Sequence, residues 1–254
     1  RVVTGRVMAR VFDEWRSAES RCGGGLVWFL QDLRPGAGWG LLDSDGRPKA
    51  AYHHLRRAWA PVRLLLLDRG LDGLRIEVVN EGSRALEGEL RVEVLNEASV
   101  VTARAGRAVS VPGRGSLATS LEELVGHFLD ATYAYRFGPL AHAAVVATLS
   151  ASDPPLELAE VRWSAPARPL PDTSLAVEVE QDEAGVVARV TSSALARDVR
   201  LDAPGWLADD DYFDLPPGAT RSVRLVRLGA GERPLRGFVH ASNAAHEAPL
   251  ELPD

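Results

Sequence analysis

The chain has 254 residues, 46% of them apolar and 25% charged, with a formal net charge of −6. That length and apolar content exclude a miniprotein and allow two or three domains with buried cores, while no apolar run reaches the roughly 18 residues that span a bilayer. The basic residues are scattered and form no stripe, so neither nucleic acid nor a membrane is the expected partner, and the lone cysteine, Cys22, excludes an internal disulfide framework. Lys49 is the sole lysine among 29 basic residues, a skew better explained by codon usage than by phosphate recognition. The chain opens on Arg1 and passes at once into patterned sequence, so it reads as a piece of something longer.

Val7, Met8, Val11, Phe12 and Trp15 recur at helical spacing behind Thr4, a candidate N-cap, and predict an amphipathic helix over residues 4–19. Gly23, Gly24 and Gly25 stop it. Leu26, Val27, Trp28, Phe29 and Leu30 form an apolar run without alternation, which predicts a strand covered on both faces, as in a parallel sheet flanked by helices. It ends at Gln31 and Asp32. After a loop with Pro35, Gly36, Gly38, Asp45 and Gly46, Pro48 opens a second helix with Tyr52, Leu55, Ala58 and Trp59 on one face, closed by Pro61. One parallel strand between two helices lacks partners for its backbone and cover for its faces. The order therefore predicts the closing unit of a (β/α)8 barrel over residues 1–61, with its other strands upstream.

After Pro61 the period becomes two. Leu74, Ile76 and Val78 alternate with Arg75, Glu77 and Val79, and Leu90, Val92 and Val94 alternate with Arg91, Glu93 and Leu95. Further strands are predicted at 107–111, 131–137, 143–149, 157–163, 174–180, 185–191, 221–226 and 236–241, with a helical turn at Leu121–Leu129. This density predicts two seven-stranded β-sandwiches at 62–165 and 166–254, which the resemblance described below implies are immunoglobulin-like, joined by the proline-rich stretch Ala165–Pro171. The fold class is thus mostly β, preceded by a barrel remnant.

Within residues 25–52, the strings Gly25-Leu-Val-Trp28-Phe-Leu-Gln-Asp32-Leu-Arg-Pro35-Gly-Ala-Gly-Trp39-Gly-Leu-Leu-Asp43 and Gly46-Arg-Pro-Lys49-Ala-Ala-Tyr52 resemble the end of the catalytic barrel in β-mannosidases of glycoside hydrolase family 2. Asp211-Tyr212-Phe213-Asp214-Leu215-Pro-Pro-Gly218 is similar to the signature of that family's C-terminal immunoglobulin-like domain. Three positions depart from the family pattern: Gln31 for Asn, Arg34 for Trp, and Gly38 for Ser. All three lie in the region that sets specificity at a barrel mouth, leaving room for a related exo-β-glycosidase.

The resemblance implies a retaining mechanism with a carboxyl pair about 5–5.5 Å apart, a β-mannoside substrate and no cofactor. Both glutamates belong to earlier barrel strands, so no catalytic residue is expected here and the isolated chain should be inert. Asn80-Glu81 and Asn96-Glu97 imitate the family's Asn-Glu pair, but they end alternating strands in the all-β region and are expected to be turns. The substrate-binding candidates are Trp28, Asp32 and Trp39. Trp28 is either a wall for the apolar face of a pyranose or a buried core residue. Asp32 either accepts bonds from sugar hydroxyls or caps the loop toward Trp39. Trp39 is a subsite wall or a loop anchor, the anchor being the expectation.

Other constellations carry less. His53 and His54 point apart on a helix and are expected at its surface and at an interdomain contact, without metal. Asp209, Asp210, Asp211 and Asp214 suit calcium in donor type, yet an acidic turn needs no ion. Tyr133, Tyr135 and Phe137 are expected in the core, and Cys22 as a small packed residue. The competing class is a non-catalytic carbohydrate-binding sandwich, which would present a row of exposed aromatics.

Overall fold

The computed structural model describes residues 2–164, 173–182, 185–229 and 234–252. The expected linker at 165–171 lies outside them. Two compact units are present: residues 1–8, 26–55 and 167–254 in one, and residues 9–25 and 56–166 in the other.

Helix α1 spans Val2–Arg16 and helix α2 spans Ala50–Ala58. Thr4 is not a cap, because the helix is already wound at Val2. Ala9, Phe12 and Asp13 are buried, whereas Val3, Val7, Val11 and Trp15, four residues apart, are exposed. The apolar stripe of α1 is wider than what covers it. Arg16 donates to the carbonyls of Ala58 and Ala60, the latter at 3.0 Å, and so satisfies acceptors that the end of α2 leaves open.

The strand expected at Leu26–Leu30 does not form. Leu26 is fully exposed, Trp28 is 82% exposed, and Leu30 is exposed as well. A single parallel bridge joins Gln31 to Leu42, with Leu42 N–H donating to Leu30 at 2.8 Å and Asp32 N–H to Leu42 at 3.1 Å. The physical reason is that a strand exists only through its neighbours. Among the described residues none runs beside this segment beyond that bridge.

The unit of residues 9–25 and 56–166 holds a seven-stranded antiparallel sandwich. One sheet orders β1 (Val62–Asp68), β2 (Leu74–Asn80) and β5 (Gly115–Ser120) with β2 central. The other runs β4 (Val101–Val111), β3 (Leu86–Leu95), β6 (Ala144–Ser152), β7 (Pro155–Trp163). The twofold alternation points Leu74, Ile76 and Val78 at Leu90, Val92 and Val94 across one core. Arg63 on β1 makes a bidentate pair with Asp13 at 3.1 and 3.0 Å and reaches Glu160 on β7 at 2.6 Å. Burial alone would lower the Arg63 pKa, but Glu160 and Asp13 outweigh it and raise the pKa.

The helical turn is α3, Leu121–Val125, shorter than expected because Gly126 ends it at φ 78°. A capping box starts it: Ser120 Oγ accepts from Glu123 N–H at 3.0 Å, and Glu123 Oε2 accepts from Ser120 N–H at 3.1 Å. Residues 131–137 are a loop, not a strand. The Asp130 carboxylate accepts the N–H groups of Ala134 at 2.8 Å and Tyr135 at 2.9 Å, and backbone wound around a carboxylate cannot be extended. Tyr133, Tyr135 and Phe137 are therefore not core. Phe137 is 81% exposed and stacks on Tyr135 at 5.8 Å.

In the unit of residues 1–8, 26–55 and 167–254, two four-stranded antiparallel sheets face one core. Their orders are β12 (Phe213–Leu215), β10 (Ala196–Asp202), β14 (Arg236–His240), β15 (Ala248–Glu251), and β11 (Trp206–Ala208), β13 (Thr220–Arg227), β9 (Gly185–Ser192), β8 (Leu175–Asp182). The period of two along β9 turns Val186, Ala188 and Val190 inward, where they pack with Val199, Phe213, Val223, Leu225, Val239 and Leu250. Among the described residues eight strands stand where seven were expected, and β11 and β12, at three residues each, are too short to show a period.

Candidate functional site

The segment from Trp28 to Lys49 folds around Asp32. Its carboxylate is buried and accepts from Gly40 N–H at 2.7 Å through Oδ1 and from Lys49 Nζ through Oδ2. These two bonds, the lysine first and the amide second, hold the Asp32 carboxyl below the usual carboxylate range. Lys49 Nζ also donates to the Gly38 carbonyl at 3.3 Å. A Cβ at Gly38 would collide with the Asp32 carboxylate, and one at Gly40 would lie 2.6 Å from the Asp32 nitrogen. The fold closes with Lys49 N–H donating to Leu41 at 2.9 Å, and with Asp43 Oδ1 accepting from Asp45 and Arg47 N–H groups at 2.9 and 2.8 Å.

Of the three candidates, Asp32 caps the loop: both carboxylate oxygens already have protein donors. Trp39 is no anchor. Its indole is 79% exposed, because the loop is held from beneath by Asp32 and Lys49. Trp28 is likewise not core. The backbone ties between Leu30 and Leu42 place both tryptophans on one hairpin-like segment. Sequence reasoning missed the part played by Lys49; its signals were its uniqueness and its place in the Arg-Pro-Lys string.

The acidic residues of the second sandwich serve its backbone. Asp209 Oδ1 accepts Arg224 N–H at 2.9 Å, Asp210 pairs with Arg221, and Asp211 Oδ1 accepts Leu201 and Tyr212 N–H groups at 2.9 and 3.0 Å. Burial, aided by the Asp210 charge, pushes the Asp211 carboxyl up to about 7. Asp214 Oδ1 accepts from Arg6 at 2.6 Å and from Asp198 N–H at 2.9 Å. Among the described residues no group of three or more His, Cys, Asp or Glu side chains is arranged to hold a metal ion.

The Asn-Glu pairs sit in turns. Asn80 donates to the Arg84 carbonyl at 2.8 Å and accepts from Gly82 N–H at 3.0 Å, while Glu81 pairs with Arg16 at 2.9 Å. Asn96 Oδ1 accepts from Ala98 and Val100 N–H groups, both at 3.0 Å. His53 is buried, not on the helix surface: 3% exposed, it lies against Tyr52 and Tyr212, with Asp210 3.8 Å away. Cys22 is exposed, not packed, in the glycine turn, with its thiol 3.2 Å from the Gly24 carbonyl.

Comparisons with known proteins show what this chain is similar to. The model of the mannosidase Ig-fold domain matches residues 170–236. Beta-mannosidase B of Aspergillus niger is 23% identical over 257 aligned residues, covering 91% of this chain and 29% of that protein. Beta-mannosidase B of Thermothelomyces thermophilus is 42% identical over 52 residues, 20% of this chain and 6% of that protein. In fold, the chain matches a β-D-mannosidase from Dictyoglomus thermophilum with a TM-score of 0.74 at 19% identity, covering 94% of this chain and 29% of that one. It also matches an exo-chitosanase from Amycolatopsis orientalis with a TM-score of 0.67 at 14% identity, covering 98% and 33%. The chain spans under a third of the length of the curated relatives that it matches along most of its own length. In sequence and fold together, the chain resembles the C-terminal portion of the β-mannosidases of glycoside hydrolase family 2.

Proposed function

We propose that this chain is the C-terminal part of a retaining exo-β-mannosidase that removes terminal, non-reducing β-D-mannosyl residues. Residues 1–61 belong to the end of its catalytic (β/α)8 barrel, and residues 62–165 and 166–254 are two immunoglobulin-like sandwiches that buttress it. The upstream barrel is the partner that covers Leu26–Leu30 and supplies both catalytic glutamates. Trp28 and Trp39 provide a wall of the sugar pocket, where an indole face packs on the apolar face of a pyranose and excludes water. No cofactor is needed for this chemistry.

The observation that carries this reading is the exposure of Trp28 inside the string that resembles the family's last barrel strand: 82% of it is open in a segment that is otherwise apolar. Exposed apolar surface of this kind marks an interface or a ligand site. The test is hydrolysis of an aryl β-mannoside by the complete polypeptide and by residues 1–254 alone. Turnover by the first only is expected, and turnover by the purified fragment overturns the reading.

Gln31, Arg34 and Gly38 favour one second reading, a related exo-β-glycosidase of the same family. Aryl β-glucosides and β-glucosaminides in the same assay separate the two by their kcat/KM ratios. A carbohydrate-binding sandwich without catalysis draws on the exposed Tyr135 and Phe137 instead, and requires saturable binding of a manno-oligosaccharide to the chain alone.

A further inference from the structure

We propose that Lys49 and Asp32 are positioning residues that fix Trp39 as a specificity-determining face of the sugar pocket; this rests on the glycosidase reading above. The two peptide groups flanking Trp39 are both pinned by one ion pair. On the N-terminal side, the Gly38 carbonyl accepts from Lys49 Nζ at 3.3 Å; on the C-terminal side, Gly40 N–H donates to Asp32 Oδ1 at 2.7 Å. The pair itself closes through Lys49 Nζ and Asp32 Oδ2, with the carboxylate side chain only 4% exposed.

Both neighbours of Trp39 are glycines, and at both a Cβ would meet Asp32. The clamp therefore needs bare backbone on each side of the indole. Between these fixed points Trp39 is 79% exposed, so a half-buried ion pair and two glycines hold the backbone that carries a large apolar face into water. A backbone held on both sides of the indole leaves less freedom to lose when a ligand covers it. A pyranose presents apolar C–H groups that fit it, while Asp32 Oδ1 and Oδ2 are each engaged by a donor of the loop itself. Lys49 also ties this loop to the start of α2, since its own N–H donates to Leu41.

The test uses the complete polypeptide with an aryl β-mannoside. Trp39→Ala is expected to raise KM about tenfold, the scale of one lost aromatic contact, with kcat falling far less. Lys49→Met is expected to raise KM in the same sense and to speed hydrogen exchange at the Gly40 amide, with Lys49→Arg recovering part of both. The double variant should be no worse than the more affected single variant, because the two changes remove one interaction. Trp39 is mostly exposed, so its variant keeps the test open even if Lys49→Met fails to fold. Unchanged KM in Trp39→Ala, additive effects in the double variant, or unchanged Gly40 exchange in Lys49→Met overturns the proposal. Absence of turnover by the unsubstituted polypeptide overturns the glycosidase reading, and the ligand role of Trp39 with it, while the exchange result still decides the clamp.

Discussion

Leu90, Val92 and Val94 in the first sandwich and Leu26, Trp28 and Leu30 before α2 are similar in apolarity and opposite in fate. The first three are buried between two sheets, with β4 on one side and β6 on the other: Val92 stands opposite Ala105 and Ala147. The second three are exposed, and among the described residues the only ladder contact nearby is the bridge at Gln31. Burying a large apolar side chain is worth about 1.5–3 kcal/mol, and the segment at 26–30 forgoes that gain. Apolar pattern therefore marks what a segment can bury, whereas neighbouring strands decide whether it does.

The largest test of the closed region is Arg63→Leu, which strands Asp13 in a buried place and leaves Glu160 without its Arg63 bond. A loss of about 3–5 kcal/mol is expected in urea unfolding; a loss below about 1 kcal/mol would mean the sandwich edge is as wet as the open segment. Next come two aspartates with opposite pH signatures. Asp211 has a folded pKa of about 7 against 3.8 in its ordinary state, so between those values the unfolded chain holds fewer protons and stability falls as pH rises. The slope is at most about 1.4 kcal/mol per pH unit, and Asp211→Asn, which keeps an oxygen acceptor, should flatten it in melting curves taken from pH 5 to 8. Asp32, whose pKa is lowered, contributes stability above its unfolded pKa that is lost as pH falls through its folded value. Its effect should therefore be visible only in acid, and Asp32→Asn should remove it.

Smaller effects sharpen the same contrast. Ser120→Ala removes one half of the capping box on α3 and is expected to cost about 1 kcal/mol. Leu26→Ser should change the stability of residues 1–254 by no more than about 0.5 kcal/mol, because the side chain is already in water. The same substitution in the complete polypeptide should destabilise it by more than that, if an upstream strand covers the residue. Equal effects in the two would show that nothing packs there.

The sandwiches were readable because alternation survives in strands such as β2, β3, β6 and β9, and Asn80 and Asn96 were readable as turns from their position at strand ends. The short strands β11 and β12 were not, since three residues show no period. Tyr133, Tyr135 and Phe137 alternate like a strand, but Asp130 captures the amides of that stretch and overrides the pattern. At the candidate site, Trp28 and Trp39 stood out by type and motif, whereas the role of Asp32 depended on Lys49, 17 residues away in sequence. Such a pairing follows from the loop's three-dimensional closure and from no local period.

The most direct measurement is covalent trapping of the complete polypeptide with a 2-deoxy-2-fluoro-mannosyl fluoride, followed by peptide mass analysis, since a retaining enzyme forms a glycosyl-enzyme ester on its nucleophile. The expected result is a 2-deoxy-2-fluoro-mannosyl adduct, formed with loss of the anomeric fluoride, on a glutamate outside residues 1–254 and no adduct within them. An adduct on Glu81, Glu97 or any other carboxylate of this chain would contradict the proposal that the nucleophile lies outside residues 1–254.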